Sequence, residues 1–118
     1  LQPSDISYIN LHGTSTHSND DAEDKGVTSI FGTQTPCSST KGHLGHTLGA
    51  AGAMEAVICT LALLNSFAPG GVGTETIDPQ LHSNYLLSNL EQPMHHALSN
   101  SFGFGGSNCS LIFSKVAA

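Results

Sequence analysis

The sequence predicts an α/β fold, on three observations. Ser7-Tyr8-Ile9-Asn10-Leu11 alternates and carries aromatic and β-branched residues, the pattern of a short strand. Met54, Val57, Ile58, Leu61 and Leu64 recur at i, i+3, i+4, i+7 and i+10, one apolar stripe of a helix over about residues 48–65. The chain finishes on two strand-like runs, 97–102 and 109–115, around the glycine-rich Gly103-Phe104-Gly105-Gly106-Ser107-Asn108, which reads as an antiparallel pair.

Composition narrows the class. A chain of 118 residues suits one domain with a real core. Three Lys and Arg against nine acids argue against non-specific binding to nucleic acid or anionic membrane. The apolar run 57–64 is broken by Thr60 and falls short of a membrane span. Three cysteines without a CxxC spacing argue against a disulfide framework or zinc knuckle, and read as reduced thiols of a cytosolic protein. No targeting segment is visible, and the chain opens at Leu1 without Met, which reads as a processed or truncated start.

His12 ends the first strand and opens the polar turn His12-Gly13-Thr14-Ser15-Thr16. Carboxyl ends of strands carry ligands in α/β sheets, so His12 is either a site residue or an ordinary cap; position alone leaves both open. Ser18-Asn19-Asp20-Asp21 opens a helix, with Ser18 and Asp21 in capping-box register and Asp20, Asp21, Glu23 and Asp24 loading its start with negative charge. These acids read as helix-start electrostatics rather than a metal site. Ala22, Val27, Ile30 and Phe31 supply an apolar face and Gly32 a stop. Residues 36–40 read as a short extended segment.

The densest chemistry lies in Ser38-Ser39-Thr40-Lys41-Gly42-His43-Leu44-Gly45-His46-Thr47-Leu48-Gly49-Ala50-Ala51-Gly52-Ala53-Met54-Glu55. Hydroxylated residues, a Lys and two His run into the apolar helix, where orphan N–H groups and the positive dipole end collect. Ala50, Ala51, Ala53 and Ala56 allow close packing opposite the stripe, so the helix reads as buried nearly all round, and Glu55 within it requires a hydrogen-bonding or cationic partner. Ala68-Pro69-Gly70-Gly71 ends it; 70–84 reads as loop and 85–90 as a short strand or turn. The final glycine loop lacks the Lys and helix start of a phosphate-binding loop. It reads instead as a mobile, closely packed loop that holds Phe104 up against something.

Four stretches, HGTST with Asp20 eight residues after its His, SSTKGHLGHTLGAAGAME, NSFGFGGSN and SLIF, stand in this order. Together they resemble the C-terminal part of elongating β-ketoacyl-(acyl-carrier-protein) synthases, across essentially the whole chain. The resemblance implies one half of a thiolase-like fold, a mixed sheet covered by helices, within a five-layered αβαβα architecture. It places residues 1–118 in the C-terminal ketosynthase domain of a longer, homodimeric, cytoplasmic enzyme. Such an enzyme condenses an acyl thioester with malonyl-acyl carrier protein in fatty-acid or polyketide synthesis, with no cofactor or metal. Its partner is the acyl carrier protein bearing acyl and malonyl groups, with no nucleic acid and no membrane insertion.

Residue by residue, the resemblance makes His12 and His46 the two catalytic histidines and Lys41 the active-site lysine. Glu55 matches the glutamate of the buried helix, and Asp20 and Glu23 match acids near the lysine network. Phe104 matches the aromatic gate, whose backbone N–H completes an oxyanion hole. Thr14 and Thr16 resemble positions that hold the pantetheine arm. The family's nucleophilic cysteine lies in the N-terminal half, absent from this sequence; Cys37, Cys59 and Cys109 do not match it and read as core or edge residues. The chain alone is therefore expected to condense nothing, and its long helix to expose an apolar face without that half. Leu11 stands where a smaller residue is common, and His43 falls in a variable spacer.

Two other readings compete. A non-catalytic partner subunit, such as a chain-length factor, typically loses catalytic residues, which His12, Lys41 and His46 argue against. A metal-dependent hydrolase would use His43 and His46 with His12 and an acid, but their H-x-x-H spacing falls on a glycine-rich turn rather than a helix.

Overall fold

A computed structural model describes residues 1–117, and within it β1 (Tyr8–Asn10) is the hub. It pairs in parallel with β2 (Pro36–Ser38) on one side and β6 (His96–Phe102) on the other, in the registers Asn10↔Ser38 and Asn10↔Ser99. Beyond β2 lies β4 (Asn84–Tyr85), also parallel, and beyond β6 the antiparallel edge strand β7 (Asn108–Ser114). The sheet order is therefore β4-β2-β1-β6-β7, with the chain diverging to both sides of β1. That divergence opens a crevice at the carboxyl ends of β1, β2 and β6.

Strand alternation sends successive β1 side chains to opposite faces. Ile9, with Leu11 beyond the strand, joins Ile6, Cys37, Leu98 and Val27 of α1 (His17–Phe31) in one core. Tyr8 joins Cys59, Ala62 and Leu63 of α3 (Ala51–Asn65), with Ala97 and Met94, in the other. The result is three layers, helix on sheet on helix. A short helix, α2 (Lys41–Leu44), follows β2, and a 3-10 turn over Leu48–Ala50 leads into α3. A separate ribbon joins β3 (Phe67–Ala68) to β5 (Leu90–Glu91).

Several expectations change. Thr16, not Ser18, is the N-cap of α1, without a side-chain cap bond, so the Ser18–Asp21 capping box does not form. Glu23, Asp24 and Val27 are the buried residues of α1, while Ala22 and Ile30 face solvent. Gly32, at φ 69°, does stop the helix. The exposed apolar face expected of α3 is the stripe itself: Met54, Val57, Leu61 and Leu64 are 37–63% exposed, with Ile58 half-buried. Ala51, Glu55, Cys59, Ala62 and Leu63 meet the sheet instead. Mostly small side chains let the helix axis come close to β1 and β6, and the bulky stripe is left over. Residues 48–65 are long and apolar enough by composition to cross a membrane, which a count of uninterrupted apolar residues missed. The packing of α3 on the sheet and the buried ion pair of Glu55 identify it as a core helix.

Met54, Val57, Leu61 and Leu64 together form one apolar face open to solvent, the kind of contiguous surface that marks an interaction site. We expect the isolated 118-residue chain to self-associate in sedimentation velocity, and Leu61→Lys with Leu64→Lys to shift it toward monomer at unchanged helicity. A wild-type chain that sediments as a monomer contradicts this.

Candidate active site

His12 lies two residues beyond the end of β1 and is buried, and its backbone is pinned from α1. The Glu23 carboxylate accepts the His12 N–H at 2.8 Å and the Gly13 N–H at 2.9 Å, with Asn100 Nδ2 at 3.4 Å. Burial raises the pKa of Glu23 against the pull of these donors. Gly13 takes φ 43°, and its carbonyl accepts from Ser39 Oγ at 2.8 Å, so the turn after His12 is tied to the turn after β2. Asp24, one residue beyond Glu23, accepts the His82 N–H at 3.0 Å and the Ser83 N–H at 2.8 Å. Burial pushes its carboxyl up, but the Ser83 and His82 donors outweigh that and hold it below the usual range.

Lys41 opens α2 and reaches back beneath His12. Its ammonium pairs with Glu55 Oε1, both side chains nearly buried, and lies 3.4 Å from His12 Nδ1. Ser101 Oγ donates to the other oxygen, Glu55 Oε2, at 2.9 Å. The partner that Glu55 required is thus Lys41, with Ser101 beside it.

His12 is held neutral: burial lowers its pKa, and the neighbouring Lys41 ammonium lowers it further against the attraction of Glu55. An ammonium only donates, so Nδ1 of the neutral ring accepts and Nε2 carries the proton. His46 reaches the same arrangement by another route. Its Nδ1 accepts the Leu48 N–H at 3.2 Å, which leaves the Nε2 position for the proton of the neutral ring. Thr47, at φ −84° and ψ 16°, turns that N–H back at the ring, and Leu48 then takes φ 55°, a left-handed conformation uncommon for leucine. The two rings stand edge to face, centroids 5.4 Å apart, and the Phe102 ring centroid lies 5.5 Å from that of His12. His46 faces solvent, so the site is open on that side.

A cavity of about 450 Å³ adjoins the site, with Gly13, Thr14, Asp20, Lys41 and His46 in its wall. Thr14 Oγ1 lies 3.0 Å from Thr16 Oγ1, which sits at the start of α1 outside that wall. Asp20 accepts from Asn19 Nδ2 at 3.0 Å. Asp20 and Glu23 line the same cavity as Lys41, Glu23 holding the backbone of His12 and Gly13 while Glu55 is the lysine's ion-pair partner. Phe104 departs from the closely packed reading of its loop. The turn closed by the Gly103 N–H on Ser107 O holds it fully exposed, packed against none of the described residues. Cys37 and Cys59 are buried thiols pushed up to about 12 by desolvation, which makes them inert at neutral pH, and Cys109 is exposed on β7. Among the described residues no three His, Cys, Asp or Glu side chains gather as a metal's ligand set.

Sequence reasoning missed Asn10, Ser101 and Phe102. Asn10 donates to Tyr8 Oη at 3.1 Å and Thr40 Oγ1 at 3.3 Å, linking β1 to the residue before Lys41. Its signal was a polar residue at the alternate position between Tyr8 and His12. Ser101 and Phe102 lie inside NSFGFGGSN, where Phe104 drew the attention.

The family model described as Beta-ketoacyl synthase, C-terminal domain, matches residues 1–75. The chain is 41% identical over 117 residues to 3-oxoacyl-[acyl-carrier-protein] synthase 2 of Vibrio harveyi, covering 95% of this chain and 28% of that protein. It is similar to a β-ketoacyl synthase from Burkholderia phymatum STM815, with 36% identity, a TM-score of 0.95 and coverage of 99% of this chain and 29% of that one. It is also similar to a chain in the complex of the ketosynthase ApeO with its chain length factor ApeC from Xenorhabdus doucetiae, with 45% identity, a TM-score of 0.92 and coverage of 98% and 30%. The chain thus spans a little over a quarter of its relatives' length, 28% of the Vibrio harveyi protein. Its three-layered architecture is that of one half of a thiolase-like ketosynthase fold.

Because the native His12 pKa lies below its ordinary 6.5, the unfolded chain takes up a proton first on acidification. Stability therefore rises with pH through the window between the native pKa and about 6.5. Imidazole titration followed by NMR should show His12 still neutral where a free histidine is half protonated; a His12 ring that charges above 6.5 contradicts the geometry. Glu23→Ala, which strands the N–H groups of His12 and Gly13, should cost about 3 kcal/mol in urea denaturation of the full-length protein. Glu23→Gln, which keeps one acceptor oxygen, should cost less.

Proposed function

The chain belongs to the β-ketoacyl synthase family, and on that premise we propose that it is the C-terminal, enolate-stabilising part of an elongating synthase. The observation that carries this is the pair of imidazoles, ring centroids 5.4 Å apart, each with its Nδ1 placed as an acceptor. In decarboxylative condensation the bond from the malonyl α-carbon to its carboxylate breaks, and the electron pair moves onto the thioester carbonyl oxygen as CO₂ leaves. Two Nε2–H donors converging on that oxygen stabilise the enolate as its charge develops. The enolate carbon then attacks the acyl thioester held on a cysteine, and collapse of the tetrahedral adduct expels the cysteine thiolate.

Neutral donors suit this step. An imidazolium would give its proton to the enolate carbon and end the reaction in simple decarboxylation. Lys41, fixed between Glu55 and His12, keeps positive potential near the developing charge while it suppresses protonation of His12. A partner subunit without catalytic duty would have no use for this arrangement, which favours the enzyme reading over a chain-length factor.

The remaining machinery belongs to the rest of the protein in this proposal. An N-terminal half supplies the nucleophilic cysteine at a helix start, where the dipole lowers its pKa, and covers the outward face of α3. Packing of that half also brings the Phe104 loop over the site, where Phe104 gates entry and its N–H joins an oxyanion hole. Thr14 and Thr16 hold the pantetheine arm of an acyl carrier protein, and the whole works as a cytoplasmic homodimer. In the full-length protein, His12→Ala should lower malonyl decarboxylation by at least about a hundredfold, while acylation of the nucleophilic cysteine stays largely intact. Equal loss of both, or loss of neither, contradicts the assignment.

A further inference from the structure

The Lys41 ammonium has three N–H bonds to place, and the nearest strong acceptor is the Glu55 carboxylate. With both carboxylate oxygens free, the ammonium would spread over the pair, and its 3.4 Å contact with His12 Nδ1 would be the one to give way. One lone pair of Oε2 is already taken: Ser101 Oγ donates to it at 2.9 Å. We propose that Ser101 is a positioning residue of this site, which by occupying Glu55 Oε2 confines Lys41 to Oε1 and directs an ammonium N–H onto His12 Nδ1. The hydroxyl therefore determines which nitrogen of His12 carries its proton, although it does not touch the ring.

The surroundings are built for this contact. Ser101 lies near the end of β6, immediately before the Phe102 that packs 5.5 Å from His12, so one strand places both the hydroxyl and the ring's neighbour. Gly52, one turn ahead of Glu55 on α3, stands against Ser101: a Cβ there would come within 3.2 Å of its Oγ. That approach is tighter than most, so a glycine at 52 leaves the hydroxyl room to reach the carboxylate. Serine, carboxylate, ammonium and imidazole form one line of contacts from β6 through α3 and α2 to the end of β1.

The inference rests on the enolate-stabilising reading of the site, and its test separates the two. Full-length protein labelled with ¹⁵N-histidine reports the His12 tautomer directly, and malonyl decarboxylation reports the chemistry. Ser101→Ala should give a mixture of Nδ1–H and Nε2–H forms at His12 and lower kcat about tenfold, the loss expected for one hydrogen bond to a charged group, at unchanged KM. Ser101→Thr should restore both. Gly52→Ala, which displaces the hydroxyl while leaving Ser101 in place, should reproduce the alanine phenotype. A Ser101→Ala protein with wild-type tautomer and kcat overturns the proposal, and so does equal loss in Ala and Thr variants at an unchanged tautomer, which would mark Ser101 as packing only. If His12→Ala leaves decarboxylation intact, the functional reading fails, while the tautomer measurement still decides the role of Ser101.

Discussion

The constraint on which the rest depends is the ion pair of Lys41 and Glu55, taken almost wholly out of water, with side chains 11% and 5% exposed. Removing two charges from water costs several kcal/mol each, and their attraction repays that only with good geometry and further hydrogen bonds. Ser101 and His12 supply those bonds. A pair so placed is weak evidence of stabilisation, because well-packed apolar residues often do as well. Its value lies in what it fixes: α2 against α3, and an ammonium beside one nitrogen of His12.

The sheet explains why the pair can be there. Because β1 pairs in parallel with β2 and β6, three carboxyl ends open on one crevice, and His12, Lys41 and Phe102 arrive from three strands. Beneath them runs a buried polar seam, in which Tyr8 Oη meets Ser38 Oγ at 2.7 Å and Asn10 bridges Tyr8 and Thr40. This seam ties β1 to β2 directly under the two residues whose separation matters most. Apolar packing of Ile9 and Leu11 on α1 provides the opposing support.

The central strand, the long helix and the final antiparallel pair were legible because each rests on a local pattern of period two or 3.6. The orientation of the long helix was not. Periodicity tells which residues share a face, not which face meets the sheet, and here the face carrying Ala51, Cys59 and Ala62 won by allowing close approach. The roles of Glu23 and Asp24 were hidden for a related reason. Acids near a helix start satisfy the dipole equally well in sequence, whereas their partners, the N–H groups of His12 and Gly13 and of His82 and Ser83, are chosen by loops that only the fold brings near. His12, His46, Lys41 and Glu55 were legible through the family resemblance of their motifs, and the structure brings all four together. Phe104 was legible as a residue but not as a position, since it and the glycine loop around it stand exposed among the described residues.

The most direct test of the central claim is a double-mutant cycle on the ion pair in the full-length protein, with stability and malonyl decarboxylation measured together. Lys41→Met alone leaves Glu55 buried and unpaired and should cost about 3–5 kcal/mol of stability. Adding Glu55→Gln, which keeps an acceptor for Ser101, should recover most of that stability while decarboxylation stays far below wild type. That outcome would show that the pair is kept for the proton on His12 rather than for the fold. A double variant that decarboxylates malonyl thioester at the wild-type rate would contradict it.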